Sequence, residues 1–182
     1  MYGKPSIFLC TVYNVNMMKE AVLDTSFWSL VCRVPLAPYL WIIWQVPLWM
    51  PPQVIQEIGT GSYPDQTALA QALVVGSIME RRPLHLLNQQ FAGHGEQEVF
   101  AVAVERAAVA LINDGSAHDY ARGTLELTVL SVPEFLVNLM RTQWITVTQA
   151  TAVWHDLNNL GGTRQSFLNY AAQAIRQQGG ML

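Results

Sequence analysis

The run Ala108-Val109-Ala110-Leu111-Ile112 is apolar throughout and stops at the turn Asn113-Asp114-Gly115. A strand without polar alternation is of the kind buried on both faces, which occurs where helices cover a parallel sheet on either side. A second run, Ala21-Val22-Leu23, also stops at an acid, Asp24, and the helix N-cap types Thr25 and Ser26 follow it. It reads as a strand leading into a helix. Val46 to Met50 reads as a further strand, and Pro51-Pro52 then opens a helix with Val54, Ile55 and Ile58 on one face.

The rest of the chain continues the alternation. A short helix is expected from Pro35 to Trp44, and a loop from Gly59 to Pro64. The spacing of Leu69, Leu73 and Ile78 predicts a helix within Asp65 to Glu80, and Pro83 to Leu87 suits a short strand. Gly95 opens a helix through Arg106, Ser116 to Arg122 forms another, and Leu127 to Leu130 a strand. From Pro133 the chain is helical in three pieces, broken at Arg141–Ile145 and at Gly161-Gly162. Alternating strands and helices predict a three-layer α/β fold: a central, mostly parallel sheet of about five strands, helices on both faces and C-terminal helices.

The chain has 182 residues, 51% hydrophobic and only 13% charged, against a usual charged share of about 25%. Such a composition excludes disorder. Ten Lys and Arg and thirteen Asp and Glu leave apolar surface for a second chain to cover, so an oligomer is expected, with the Pro- and Trp-rich residues 35–52 as the interface. A membrane role is not expected. Leu36 to Met50, the most apolar stretch, is shorter than the ~20 residues of a spanning helix and is interrupted by Pro38 and Pro47. Cys10 and Cys32 have no metal or redox spacing, and the first residues lack a small-residue cleavage site, so cytoplasmic localisation is expected.

Ligands of parallel α/β sheets bind at the carboxyl ends of the strands. Asp24 and Asp114 fall there, as does Glu57 on the helix after the Val46–Met50 strand, while Glu96 and Glu98 lie in the first turn of the helix before the Asp114 strand. Singly, these are N-caps, turn residues or acids placed favourably on a helix dipole. Converging carboxylates repel each other unless they hold cations, and oxygen-only ligands favour Mg²⁺ or Mn²⁺.

The motifs Val22-Leu23-Asp24-Thr25-Ser26, Met50-Pro51-Pro52-Gln53-Val54-Ile55-Gln56-Glu57-Ile58, Gly95-Glu96-Gln97-Glu98 and Leu111-Ile112-Asn113-Asp114 resemble, in order, those of the PIN-domain family. The closest likeness is to its prokaryotic branch with a Gly-Glu-x-Glu third motif. The resemblance runs from about residue 20 to 178 and takes in Ala117 to Arg122 and the turn Leu160-Gly161-Gly162-Thr163-Arg164. It implies one PIN-like domain over residues 20–182, with a C-terminal helical pair at 146–178. Residues 1–19 form an N-terminal extension, either an edge strand at Ile7 to Val15 or a region before a true start at Met17 or Met18.

The family consists of small metal-dependent ribonucleases, often toxins of toxin–antitoxin pairs. The resemblance therefore implies an endoribonuclease using Mg²⁺ or Mn²⁺, with RNA as substrate and an antitoxin protein as partner. Carried over by position, Asp24, Glu57, Glu98 and Asp114 are the catalytic and metal-binding acids. Glu96 is a second candidate in the third motif. Residues two apart on a helix point about 200° apart, so Glu96 and Glu98 do not both serve as primary ligands. Asp119 is an optional extra ligand, and Thr25, Ser26 and Arg122 are candidate substrate contacts. His94 and His118, near the same edge, read as solvated loop or helix positions, with substrate contact as the alternative. The net charge of −3 disfavours nucleic acid, leaving Arg81, Arg82, Arg106, Arg122, Arg141 and Arg164 as local cationic sites and weak or selective RNA binding as the expectation. The alternatives are an inactive PIN-like binding or assembly module and a metal-dependent small-molecule phosphohydrolase.

Overall fold

The computed structural model describes residues 20–44, 48–60, 65–87 and 93–182. The expected N-terminal extension, with Cys10, and most of the Gly59–Pro64 loop lie outside these residues.

A five-stranded, all-parallel sheet runs in the order β3-β2-β1-β4-β5. Its central pair consists of the two runs singled out by their apolar content, β1 (Ala21–Leu23) and β4 (Val109–Leu111), in register from Ala21 opposite Val109 to Leu23 opposite Leu111. All three β1 residues are fully buried and β4 is nearly so, as strands with helices on both sides must be. β2 (Leu48–Met50) lies on the other side of β1, β3 (Ile78–Glu80) beyond it, and β5 (Val129–Leu130) outside β4. Winding therefore reverses between β1 and β4, and the crevice at their carboxyl ends is the topological switch point.

The helices follow the expected alternation: α1 (Thr25–Arg33), α2 (Ala37–Ile43), α3 (Pro52–Thr60), α4 (Asp65–Val74), α5 (His94–Arg106) and α6 (Gly115–Gly123). They are followed by α7 (Val132–Arg141), α8 (Val147–Leu160) and α9 (Gln165–Gln177). α1 buries Phe27, Trp28, Leu30 and Val31. Its Phe27 ring meets Phe135 of α7 at 6.0 Å, which ties the C-terminal helices to the core. Burying each such side chain contributes roughly 1.5–3 kcal/mol.

Two expectations need correction. The helix begun at Asp65 ends at Val74, and Ile78 belongs to strand β3, paired with Leu48. Gly76, at φ +73°, turns the chain there, a conformation that glycine adopts without steric cost. Pro83 to Leu87 forms no strand; Pro83 has no N–H to donate to a ladder.

The apolar segment 35–52 also packs differently. Leu36, Leu40, Trp44, Leu48 and Met50 are buried in the core, with Trp44 stacked near Phe135 at 5.7 Å. Ile42 of this segment is exposed, and the most exposed large apolar side chains among the described residues outside it include Val74, Val75 and Leu84. No single helix among the described residues is long and apolar enough to cross a membrane; the apolar pair α1–α2 is bent by 114°.

Candidate active site

Asp24 directly follows β1. Its backbone N–H donates to Leu111 O of β4 at 3.0 Å, which fixes it at the switch point. It caps α1: its carboxylate accepts from Ser26 N at 3.0 Å and from the Ser26 hydroxyl. Only 3% of the residue is exposed. Burial pushes the carboxyl up to about 6; bonds from Ser26 pull the other way, and the charge of Glu96 adds to the rise. A buried carboxylate beside another acid is costly to ionise.

Ser26 joins the two central strand ends. While donating to Asp24, its Oγ accepts from the backbone N–H groups of Asn113 at 3.0 Å and Asp114 at 3.1 Å. Asp114 in turn caps α6, its Oδ1 accepting from Ser116 N and Ala117 N, each at 2.9 Å, and the residue is exposed. One hydroxyl thus sets the spacing of the two sequence-predicted aspartates. The expectation was of a substrate contact at Ser26; the structure gives its hydroxyl three protein partners.

Glu57 reaches this edge from α3. Its Oε2 accepts from Thr25 Oγ1 at 2.7 Å. Its carboxylate lies over the first turn of α5, where a Cβ on Gly95 would come within 2.6 Å of Glu57 Oε1. Gly95 is needed there to admit the acid. Glu96 follows, with its carboxylate folded back over Gly93, and it is the α5 acid whose charge acts on Asp24.

Glu98 turns away. Its Oε2 accepts from Gln53 N at 3.0 Å and so satisfies an otherwise open donor at the start of α3. The two acids do diverge, as residues two apart on a helix should, but Glu96 rather than Glu98 faces the switch point. Sequence order alone did not reveal this choice, because it depends on the rotation of α5 about its axis.

Of the remaining candidates, Asp119, Arg122 and His118 have structural partners. Asp119 pairs with Arg164. Arg122 donates to Val129 O at 2.9 Å and to Glu134 Oε1 at 3.0 Å. His94 is exposed at the start of α5. His118 corrects its solvated reading: it is 2% exposed, 3.0 Å from Glu134 through Nε2, and packed on Phe167 at 4.6 Å. Glu134 is not among the acids that end strands, yet Ser131-Val132-Pro133-Glu134 has the spacing of a capping box and forms one at the start of α7. Asn113, read as a turn residue, is 3% exposed; it accepts from Val132 N at 3.3 Å and donates to Thr163 Oγ1 at 3.4 Å.

As the side chains stand, no three acids, histidines or cysteines among the described residues are grouped as an ion site requires. The chemistry of the donors nonetheless suits a hard cation. They are carboxylate oxygens, and the buried Asp24, held protonated up to about pH 6, stands in the environment that positive charge would relieve. The acids near the switch point are therefore Asp24, Asp114, whose backbone N–H is tied to Asp24 through Ser26, Glu57 held by Thr25, and Glu96. No protein-family model and no curated protein matches the chain.

Proposed function

We propose that this protein is a metal-dependent endoribonuclease of PIN type, using Mg²⁺ or Mn²⁺ at the carboxyl edge of the sheet. The observation that carries the reading is the Ser26 bridge, which holds Asp24 and Asp114 at the one place in this topology where ligands are expected. Asp24, Asp114 and Glu96 would hold the ion, with Glu57 closing the set from the Thr25 side; Glu98 is left to brace α3. A bound divalent cation lowers the pKa of a coordinated water and stabilises charge on a phosphodiester.

The chain's own residues have separate tasks. Ser26 orients the Asp24 carboxylate and fixes its distance from Asp114. Thr25 positions Glu57, and Gly95 leaves room for it. Asp24 must ionise to bind the cation, and its elevated pKa makes that step pH-dependent.

As a toxin, the protein would act in the cytoplasm and would be covered by an antitoxin or a second copy of itself. The exposed Val74, Val75, Leu84 and Leu86 offer apolar surface for such a partner.

Asp24→Asn is expected to abolish Mn²⁺-dependent cleavage of single-stranded RNA while leaving the circular dichroism spectrum unchanged. Cleavage at the wild-type rate in that variant sinks the proposal. Hydrolysis of phosphomonoesters without RNA cleavage would move the function to a small-molecule phosphohydrolase.

A further inference from the structure

An RNA strand reaching Asp24 and Asp114 meets mostly negative charge, so its backbone needs a cation close to the acids. The first turn of α6 and the turn before α9 border an open cavity of about 470 Å³ beside Asp114, lined by Gly115, Ser116, Asp119, Gly162, Thr163 and Arg164. Arg164 supplies positive charge. One of its terminal nitrogens holds Asp119 and lies 3.4 Å from Gly115 O, while its guanidinium rides 5.9 Å from the centre of the Phe167 ring. A Cβ on Gly115 would meet Arg164 Cδ at 2.8 Å, so the glycine lets the arginine lie flat against α6.

Local geometry ties this cavity to the acids. Gly161 and Gly162, at φ +70° and +75°, fold the chain back toward α6. Thr163 accepts from Asn113, the residue before Asp114, so the cavity wall and the candidate catalytic edge share a hydrogen bond. Ser116 and Thr163 add hydroxyls. Arginine has five donors in a planar fork, and Asp119 engages one end of it. A phosphate can share or replace that carboxylate through the rest of the fork.

We propose that this cavity is a phosphate subsite for the RNA backbone next to the cleaved bond, with Arg164 as its cation and Asp119 as a built-in placeholder for the phosphate. The inference rests on the ribonuclease reading and deepens it. Asp119 is thereby assigned to holding Arg164 in place, not to binding metal.

The test measures binding of a single-stranded RNA oligonucleotide to the full chain by fluorescence anisotropy across a salt series, with Ca²⁺ replacing the catalytic ion. Arg164→Ala should weaken binding several-fold and reduce the salt slope by about one. Arg164→Lys should recover part of the affinity, since it restores the charge but not the fork. Asp119→Asn should bind as tightly as wild type or more tightly, because it frees the arginine. If Asp119→Asn loses as much affinity as Arg164→Ala, the pair only braces the fold and the subsite is overturned.

Inorganic phosphate separates the two ideas. Phosphate-induced shifts of the Ser116 and Thr163 amide resonances, lost in Arg164→Ala, uphold an anion site here even if RNA cleavage fails. RNA cleavage with neither phosphate shifts nor a response of RNA affinity to Arg164→Ala overturns the subsite and leaves the ribonuclease reading standing.

Discussion

Two carboxylates, the buried Asp24 and the partly buried Glu134, lie in one fold with opposite electrostatics. Burial opposes ionisation of both. At Glu134 hydrogen bonds from His118 and Ser131 and the charge of Arg122 more than offset it, holding the carboxyl down at about 2. At Asp24 burial outweighs the bonds from Ser26 and the Thr25 backbone, a second acid adds repulsion, and the carboxyl stands at about 6. The corner around Glu134 is satisfied by paired cationic groups, whereas Asp24 has hydrogen bonds but no ion-pair partner among the described residues. A site that tolerates such a cost in the free protein is a candidate for function.

The sharpest way to break this comparison is to remove Glu134. Glu134→Ala leaves His118 and Arg122 without their shared partner and should cost about 3 kcal/mol in urea denaturation. Retention of wild-type stability would show that the corner is not a structural ion network.

Removing the charge at Asp24 should act in the opposite direction. Asp24→Asn keeps an acceptor for Ser26 but cannot ionise, so at pH 7 it should raise stability by about 1–3 kcal/mol, or roughly 2–4 °C in Tm per kcal/mol. Mn²⁺ should raise the Tm of the wild type and not that of the variant. A fall in Tm for Asp24→Asn would place Asp24 among the structural acids.

The pH dependence has two signs. Glu134 has a lowered folded pKa, so its contribution is present above the ordinary value of 4.5 and is lost as pH falls from there toward 2. Asp24 has a raised folded pKa, so its penalty is absent below 3.8, develops as pH rises to about 6 and stays in full above that. Thermal melts should therefore show the gap between Asp24→Asn and wild type opening between these values. A gap that is constant with pH would contradict the raised pKa.

The smallest effect on stability belongs to Gly95→Ala. The added methyl meets the flexible end of Glu57, while alanine improves helix propensity, so the net change should stay within about 1 kcal/mol. RNA cleavage should nevertheless fall, because Glu57 is displaced. Full activity in this variant would remove Glu57 from the site.

Much of this arrangement was legible in the chain. The apolar runs before Asp24 and Asp114 identified the central strands, because a strand covered on both faces has no polar side to show. Glu57 after Pro51-Pro52 placed the third acid on α3. The choice between Glu96 and Glu98 was not legible, nor was the burial of His118, since both depend on which side of a helix meets a neighbour. Ile78 fitted a helical spacing and became a strand residue, because pairing of β3 with β2 outweighs a weak periodicity in a segment that Gly76 interrupts.

By itself, then, the sequence determined the alternation of elements, the parallel sheet and the acids that end its central strands, since these follow from local hydrophobic pattern and capping chemistry. Only the tertiary structure decided which carboxylates are charged against the protein and which are charged with its help. Asp24 and Glu134 look alike in a list of residues, and each has a local serine, Ser26 or Ser131; their difference lies in the distant partners that folding brings to them, Glu96 for one and His118 and Arg122 for the other.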